Sequence, residues 1–373
     1  MRDAVIIGVG MHKFGRYPDK GYADLAEVAI RNALNDAGVP WKDVQALYAG
    51  SALAGPTSAN NICGRMGLSG IPVYNIEAYC ASGGVALRLA AEAVATGLLD
   101  MAVAVGCEKQ ERGFIPVLNQ PQWATVQGLE VMPCTGPALE AQVYMETYGV
   151  TREQLAKVSV KDRKNAALTP YSHYSSGDLT VEEVLNAPMI CDPLTMYMMG
   201  PPSDGAAAAV VCSRRQARKY SSKTPVVIAA AVHGSDKFSP LEDVYHELRH
   251  RVSYQAYEKA GCGPEDLNFA QLHNPVASME FICSENVGLC GPGEGARIFD
   301  EGRTLLSGDI PVCTDGGFLG RGNCPGASTL AYVAESVWQL RGEAGPRQIK
   351  DPKLGLICHG GYGHHAVGII LKK

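Results

Sequence analysis

The chain has 373 residues, 46% hydrophobic and 19% charged, with 42 Gly and 12 Cys, which suits one large or two mid-sized packed α/β units and excludes a disordered or fibrous chain. A net charge of -5 and a pI near 6.0, with Lys and Arg scattered instead of striped, argue against a nucleic-acid partner. No apolar run approaches the ~18 residues that would span a bilayer and no signal-peptide pattern precedes the first strand, so cytoplasmic residence without membrane contact is expected.

Residues 5–9 read as a buried strand, and Tyr22–Ala37 shows Leu25, Val28, Ala29, Ala33 and Ala37 at helical spacing with Gly38 as terminator. A strand at 45–49, a small-residue helix over Ser82–Thr96 and a strand at 101–105 continue the alternation of a layered α/β architecture. Residues 111–202 carry Gly, Pro, Met and Tyr in irregular order and read as a long insertion over the core, the kind of excursion that tends to be functional.

The later chain repeats the earlier order. Ala33, Ala37, Gly38 and Asp43 recur at the same spacing as Ala256, Ala260, Gly261 and Asp266, and Gly83, Leu87, Ala91 and Glu92 recur as Gly326, Leu330, Ala334 and Glu335. Each match keeps a constant offset, and an insertion of about 20 residues lies between the two. Two related halves follow, residues 1–220 with the insertion and residues 221–373. Extending the second match by three residues pairs Cys80 with Asn323, each where a loop enters a helix.

The cysteines lack the framed spacing of secreted scaffolds and read mostly as reduced core residues. Cys358-His359 with His364-His365 fits no common zinc pattern, so no metal is expected. Cys80 stands apart: at the mouth of a buried helix its thiolate is favoured by the helix's positive end, and Ser82, Gly83 and Gly84 let a thioester approach the backbone. By residue type alone, any of the twelve is equally a packed small hydrophobe.

Residues 1–15, Cys80 to Gly84, Ser203-Asp204-Gly205-Ala206-Ala207 and residues 285–327 together resemble the sterol-carrier-protein branch of the thiolase family. The most specific stretches are Glu285-Asn286-Val287-Gly288-Leu289-Cys290-Gly291-Pro292-Gly293-Glu294-Gly295, Pro311-Val312-Cys313-Thr314-Asp315-Gly316-Gly317 and Gly322-Asn323-Cys324-Pro325-Gly326-Ala327. The resemblance implies a five-layered αβαβα fold of two pseudo-symmetric halves, a homodimer or tetramer, and coenzyme A as a substrate. It implies Cys80 as acyl-carrying nucleophile, and His273 in His273-Asn274-Pro275-Val276 as a residue near the thioester oxygen; a structural hydrogen-bonding His is the alternative.

The chain departs from the family where Gly322-Asn323-Cys324 replaces the usual Gly-His-Pro. An amide donates to an oxyanion but is no general base at neutral pH, so part of that work moves or is lost. Cys358-His359-Gly360-Gly361 resembles the family's last active-site loop, with Cys358 at the position of a second Cys, His359 beside it and Gly360 offering a backbone N–H. Strand alternation makes it improbable that Cys358 and His359 both face the cavity.

The expected reaction is Claisen cleavage or condensation of a 3-oxoacyl-CoA through acyl-Cys80. Its rivals are a retro-aldol lyase acting on a β-hydroxyacyl-CoA and a non-catalytic acyl-CoA-binding protein. Members of this branch often act with a separate zinc-ribbon OB-fold subunit, which makes such a partner plausible. Tyr144, Tyr148, Met196, Tyr197, Met198 and Met199 permit a bulky or aromatic acyl group such as that of benzoylsuccinyl-CoA, or are ordinary core.

Overall fold

A computed structural model describes residues 2–110, 134–220, 222–237, 247–361 and 365–373. In chain order the strands are β1 (Ala4–Gly15), β2 (Leu47–Gly50), β3 (Val73–Ile76), β4 (Met101–Glu108), β5 (Met189–Cys191), β6 (Leu194–Thr195), β7 (Asp204–Ser213), β8 (Val226–Ser235), β9 (Phe269–Leu272), β10 (Leu354–Gly361) and β11 (His365–Lys372). The helices are α1 (Tyr22–Ala37), α2 (Ser58–Met66), α3 (Ser82–Thr96), α4 (Thr135–Tyr148), α5 (Arg152–Ala167), α6 (Val181–Asn186), α7 (Arg214–Tyr220), α8 (Glu247–Ala260), α9 (Ser278–Asn286), α10 (Gly295–Asp300) and α11 (Pro325–Arg341).

Nine strands join in the order β3-β2-β4-β7-β1-β8-β11-β10-β9. Outward from β1, pairing with β7 and then β4 is antiparallel and pairing with β2 and β3 parallel. Outward from β8, pairing with β11 and then β10 is antiparallel, with β9 parallel, and Val312 adds a parallel bridge to Ala270 where β3 would be repeated. The repeat seen in the sequence is thus a repeat of strand order and direction.

Side-chain alternation sorts the layers. Val5 and Ile7 of β1 pack with Leu25, Ala29 and Ala33 of α1, while Ile6, Val9 and Met11 belong to the core that holds α3 and α11. These two helices lie between the halves, and α11 is buried on nearly every side. Their close approach needs glycine: a Cβ on Gly83 would sit 2.6 Å from the Gly326 carbonyl oxygen. Beyond β11, α8 closes the outer face, and a Cβ on Gly368 would sit 2.7 Å from Val252 O. The succession α1, strands, α3 with α11, strands, α8 makes five layers.

The region read as an irregular insertion is largely helical where described. Residues 134–202 contain α4, α5, α6 and the β5–β6 hairpin, while residues 111–133 lie outside the described residues. Thr151 with Gln154 and Thr180 with Glu183 form capping boxes that start α5 and α6. The apolar period of α5 is hidden because its buried face includes Lys161, Asp162 and Asn165.

Candidate active site

Cys80 sits in a short helical turn, Tyr79–Ala81, that runs into α3. Tyr79 adopts φ 50°, a left-handed conformation costly for a non-glycine residue and often found where a loop holds a functional side chain. Ser82 locks the turn: its Oγ accepts from Ala78 N at 2.9 Å and donates to Tyr79 O at 2.6 Å. From α11, Thr329 Oγ1 donates to Cys80 O at 3.1 Å. Cys80 is buried, and the end of β10 comes up against it: a Cβ on Gly361 would lie 2.7 Å from Ala78 O and 3.3 Å from Cys80 N.

Asn323 occupies the matching place two residues before α11. The single π-helical turn Gly317–Arg321 precedes it, and Gly322 at φ 117° turns the chain into it. Its backbone is pinned, N donating to Pro201 O at 2.9 Å and O accepting from Ser203 N at 2.8 Å and Gln110 Nε2 at 2.7 Å. Its side-chain Oδ1 is buried without a hydrogen-bond partner among the described residues.

His273 follows β9, tied to β10 by its N–H donating to Cys358 O at 3.0 Å. Its ring lies 4.4 Å from that of His359 and 4.9 Å from Phe318, centroid to centroid. A Cβ on Gly360 would fall 3.3 Å from His273 Nδ1 and equally close to Arg249 Nε and Nη2 of α8. Burial, then His359, then the Arg249 charge hold the His273 pKa well below the ordinary value, so the ring is neutral. His359 is pushed down to about 3, first by burial and then by Arg321. Neither ring nitrogen of either His has a hydrogen-bond partner among the described residues.

Register decides which way the terminal pair points. Cys358 pairs with Gly368, whose bare Cα faces Val252 and Ala256 of α8, so the thiol faces α8. Burial raises its pKa while Ser253 and Arg249, both on α8, oppose the rise. His359 pairs with Val367, whose side chain packs on Gly84 of α3, and its ring lies 5.3 Å from Phe318 and 6.0 Å from Tyr332 of α11. His359 therefore shares the central layer with the Cys80 helix, and Cys358 occupies the outer one.

The structure thus gathers His273, His359 and Gly360, sets Gly361 against Cys80, puts Asn323 at the equivalent helix mouth and turns Cys358 away. Sequence reasoning missed Arg249, which lies in no recognisable motif, and Glu108. The Glu108 carboxyl accepts from Ser51 Oγ, Ala52 N, Leu53 N and Gly326 N, tying the loop after β2 to the start of α11. Burial outweighs those donors and raises its pKa to about 7.

The six insertion residues fall in two groups, Tyr144 and Tyr148 on α4 and Met196 to Met199 on one short turn and the residue that ends it. Tyr144 bonds Glu285 and pairs edge-on with Tyr148, Met198 is buried, and Met196 is exposed. Among the described residues no group of three or more His, Cys, Asp or Glu is placed to hold a metal, and no helix is long and apolar enough to cross a membrane. His364 lies outside the described residues.

The thiolase N-terminal domain family matches residues 4–215, and the thiolase C-terminal domain-like family matches residues 230–373. The chain belongs to the thiolase family, and it is an acyl-transferring enzyme. It is 37% identical to an acetyl-CoA acetyltransferase of Methanothermobacter thermautotrophicus, over 95% of both chains. It is 33% identical to the benzoylsuccinyl-CoA thiolase subunit BbsB of Thauera aromatica, over 94% of this chain and 92% of that one. Among solved structures the Ltp2-ChsH2(DUF35) aldolase matches with a TM-score of 0.88 at 27% identity, covering 99% of this chain and 97% of that one.

Proposed function

We propose that the protein cleaves or forms a 3-oxoacyl-CoA through an acyl-Cys80 intermediate. The observation that carries this reading is that the end of β10 sets Gly361 against the buried Cys80 turn and Gly360 and His359 against His273, the two histidines being neutral imidazoles whose ring nitrogens have no hydrogen-bond partner among the described residues. Buried polar atoms are rarely left unpaired, and a bound substrate supplies the partners. In cleavage the Cys80 thiolate attacks the keto carbon, the bond to the α-carbon breaks, and the electron pair leaves as the enolate of a shortened acyl-CoA. That enolate takes the proton that the Cys80 thiol gave up, relayed through an imidazole, and a CoA thiolate then displaces the acyl group from sulfur.

In this reading the Asn323 amide and a backbone N–H of the Gly360 segment donate to the oxyanion, and His273 orients water or substrate. The register favours His359 over Cys358 as the group that exchanges the α-proton. A neutral imidazole has a free lone pair to accept that proton in synthesis and an N–H beside it for orientation. CoA enters as substrate. A homodimer or tetramer and a separate acyl-CoA-binding subunit complete the proposal, the latter supported by one relative being termed a subunit and by the DUF35 partner of the aldolase.

A bulky or aromatic acyl group rests on the likeness to the benzoylsuccinyl-CoA enzyme. The likeness to an aldolase, together with Asn323 in place of His, sustains a second reading, retro-aldol cleavage without an acyl-enzyme. Intact-mass analysis after mixing with acetyl-CoA and a panel of 3-oxoacyl-CoA and β-hydroxyacyl-CoA substrates decides between them. An acyl adduct lost on Cys80→Ser supports the thiolase; turnover of the hydroxyacyl substrate with no adduct supports the lyase.

A further inference from the structure

Behind His273 lies a cluster of buried charges to which none of the proposed chemistry assigns a task. Lys161 Nζ of α5 meets Glu280 Oε1 of α9 at 2.5 Å and Asp162 Oδ1 at 3.0 Å, with all three side chains buried. The lysine also donates to Val312 O at 3.0 Å. Between the carboxylates sits Asn274, whose Nδ2 donates to Asp162 Oδ2 at 2.8 Å and to Glu280 Oε2 at 3.1 Å. Its amide orientation is thereby fixed, so Oδ1 points the other way and accepts from Phe318 N at 3.0 Å and from Tyr332 Oη at 3.3 Å.

Asn274 follows His273 directly, and Phe318 belongs to the turn Gly317–Arg321 that leads to Asn323. That turn also rides on α5: a Cβ on Gly317 would sit 2.6 Å from Asn274 Oδ1 and 2.9 Å from Asp162 Oδ2, and one on Gly320 would sit 2.3 Å from Asp162 O. Two carboxylates against one ammonium, all out of water, are expensive unless every donor is placed correctly.

We infer that Asn274, clamped by Asp162 and Glu280, is a positioning residue that locks the His273 loop and the Asn323 turn into one rigid unit. The inference rests on the proposed roles of His273 and Asn323 for its catalytic consequence, but not for the coupling itself. The groups facing the amide are Lys161 and Asp162 from α5, Glu280 from α9, Tyr332 from α11 and Cys313 beside Lys161, with the Asp315–Arg321 ion pair beyond. Burial raises the pKa of both carboxyl groups, while Lys161 and Asn274 oppose that rise.

The test uses Asn274→Leu and Asn274→Asp in the full chain. Hydrogen exchange is read on peptides covering residues 273–277 and 317–323, and kcat and KM are read across pH. Asn274→Leu is expected to speed exchange in both segments together and to lower kcat by about 10²-fold at every pH, with KM little changed. Asn274→Asp loses the donor when ionised but regains one as an O–H, so its kcat relative to the native chain should recover as pH falls from about 8 to about 6. Faster exchange in one segment alone, or in neither, overturns the coupling, as does a loss in Asn274→Asp that is the same at both pH values. Exchange needs no turnover, so failure of Cys80 to acylate would overturn the proposed reaction and leave this inference to stand or fall on the peptides.

Discussion

Gly361, the last residue of β10, lies so close to the Cys80 turn that a Cβ there would stand 2.7 Å from Ala78 O and 3.3 Å from the Cys80 amide nitrogen. The β10–β11 end of the sheet therefore walls the proposed site, and only a residue without a side chain fits at 361. Gly361→Ala should push the Cys80 turn and lower the rate of Cys80 acylation by about 10²-fold, the cost typical of a displacement near 1 Å. Stopped acylation with labelled acetyl-CoA reads this directly; an unchanged rate would show that the wall gives way freely.

Cys80→Ser should abolish acyl transfer and leave the melting temperature nearly unchanged, because the hydroxyl fits the same space but is far less ionised than a thiol. Retained thiolysis in this variant would sink the nucleophile assignment.

Asn323→Ala should lower kcat by about 10² to 10³, the usual consequence of losing one oxyanion donor. Asn323→Asp should be equally damaging, since a carboxylate repels both the thiolate and the developing oxyanion. Because the backbone of Asn323 is held by Pro201, Ser203 and Gln110 whatever its side chain, both variants should fold. Steady-state kinetics beside circular dichroism separates lost donation from lost structure.

His359→Ala should lower the rate far more than Cys358→Ala, since the imidazole faces α3 and α11 while the thiol faces α8. From the sequence alone, an imidazole limb in the pH-rate profile belongs near pH 6 to 7. The fold moves it: with a pKa near 3, His359 stays neutral through that range, and no limb of its own should appear there. A Cys358→Ala variant as damaged as His359→Ala would contradict the facing deduced from register.

Stability should carry the same signature. His359 and His273 are held neutral in the folded chain and protonate near 6.5 once unfolded, so below that pH the unfolded state binds protons that the native state refuses. Stability contributed by the neutral rings is fully present above about 6.5 and falls as pH drops toward about 3. Denaturant titrations of the His359→Gln chain should show a shallower acid loss over this window, and an identical slope would refute the assignment.

Much was legible from residues alone. Tyr22–Ala37 declares itself by apolar spacing and its terminating Gly38, and Ser82–Thr96 by its run of small residues, and the structure places both helices at those bounds. The internal repeat announced two halves because equivalent helices face equivalent strands, and it pairs Cys80 with Asn323, each two residues before its helix. These features are local or periodic, and local backbone preference and the burial period write them directly into the order of residues.

What the tertiary structure alone decided is which chemistry-bearing groups share a space. The sequence left Cys358 and His359 as alternatives, because alternation says that neighbours part but not which one faces inward. Pairing with Gly368 and Val367 turns Cys358 toward α8 and His359 toward α3 and α11, a facing that comes from strand register and not from the residue types. Likewise α5 looks like an undistinguished polar helix until Lys161 and Asp162 meet Glu280 and Asn274 across more than a hundred residues of intervening chain. Burial creates both the neutral histidines and that charge cluster, and burial belongs to the packed whole, since a side chain loses water only when distant segments close over it.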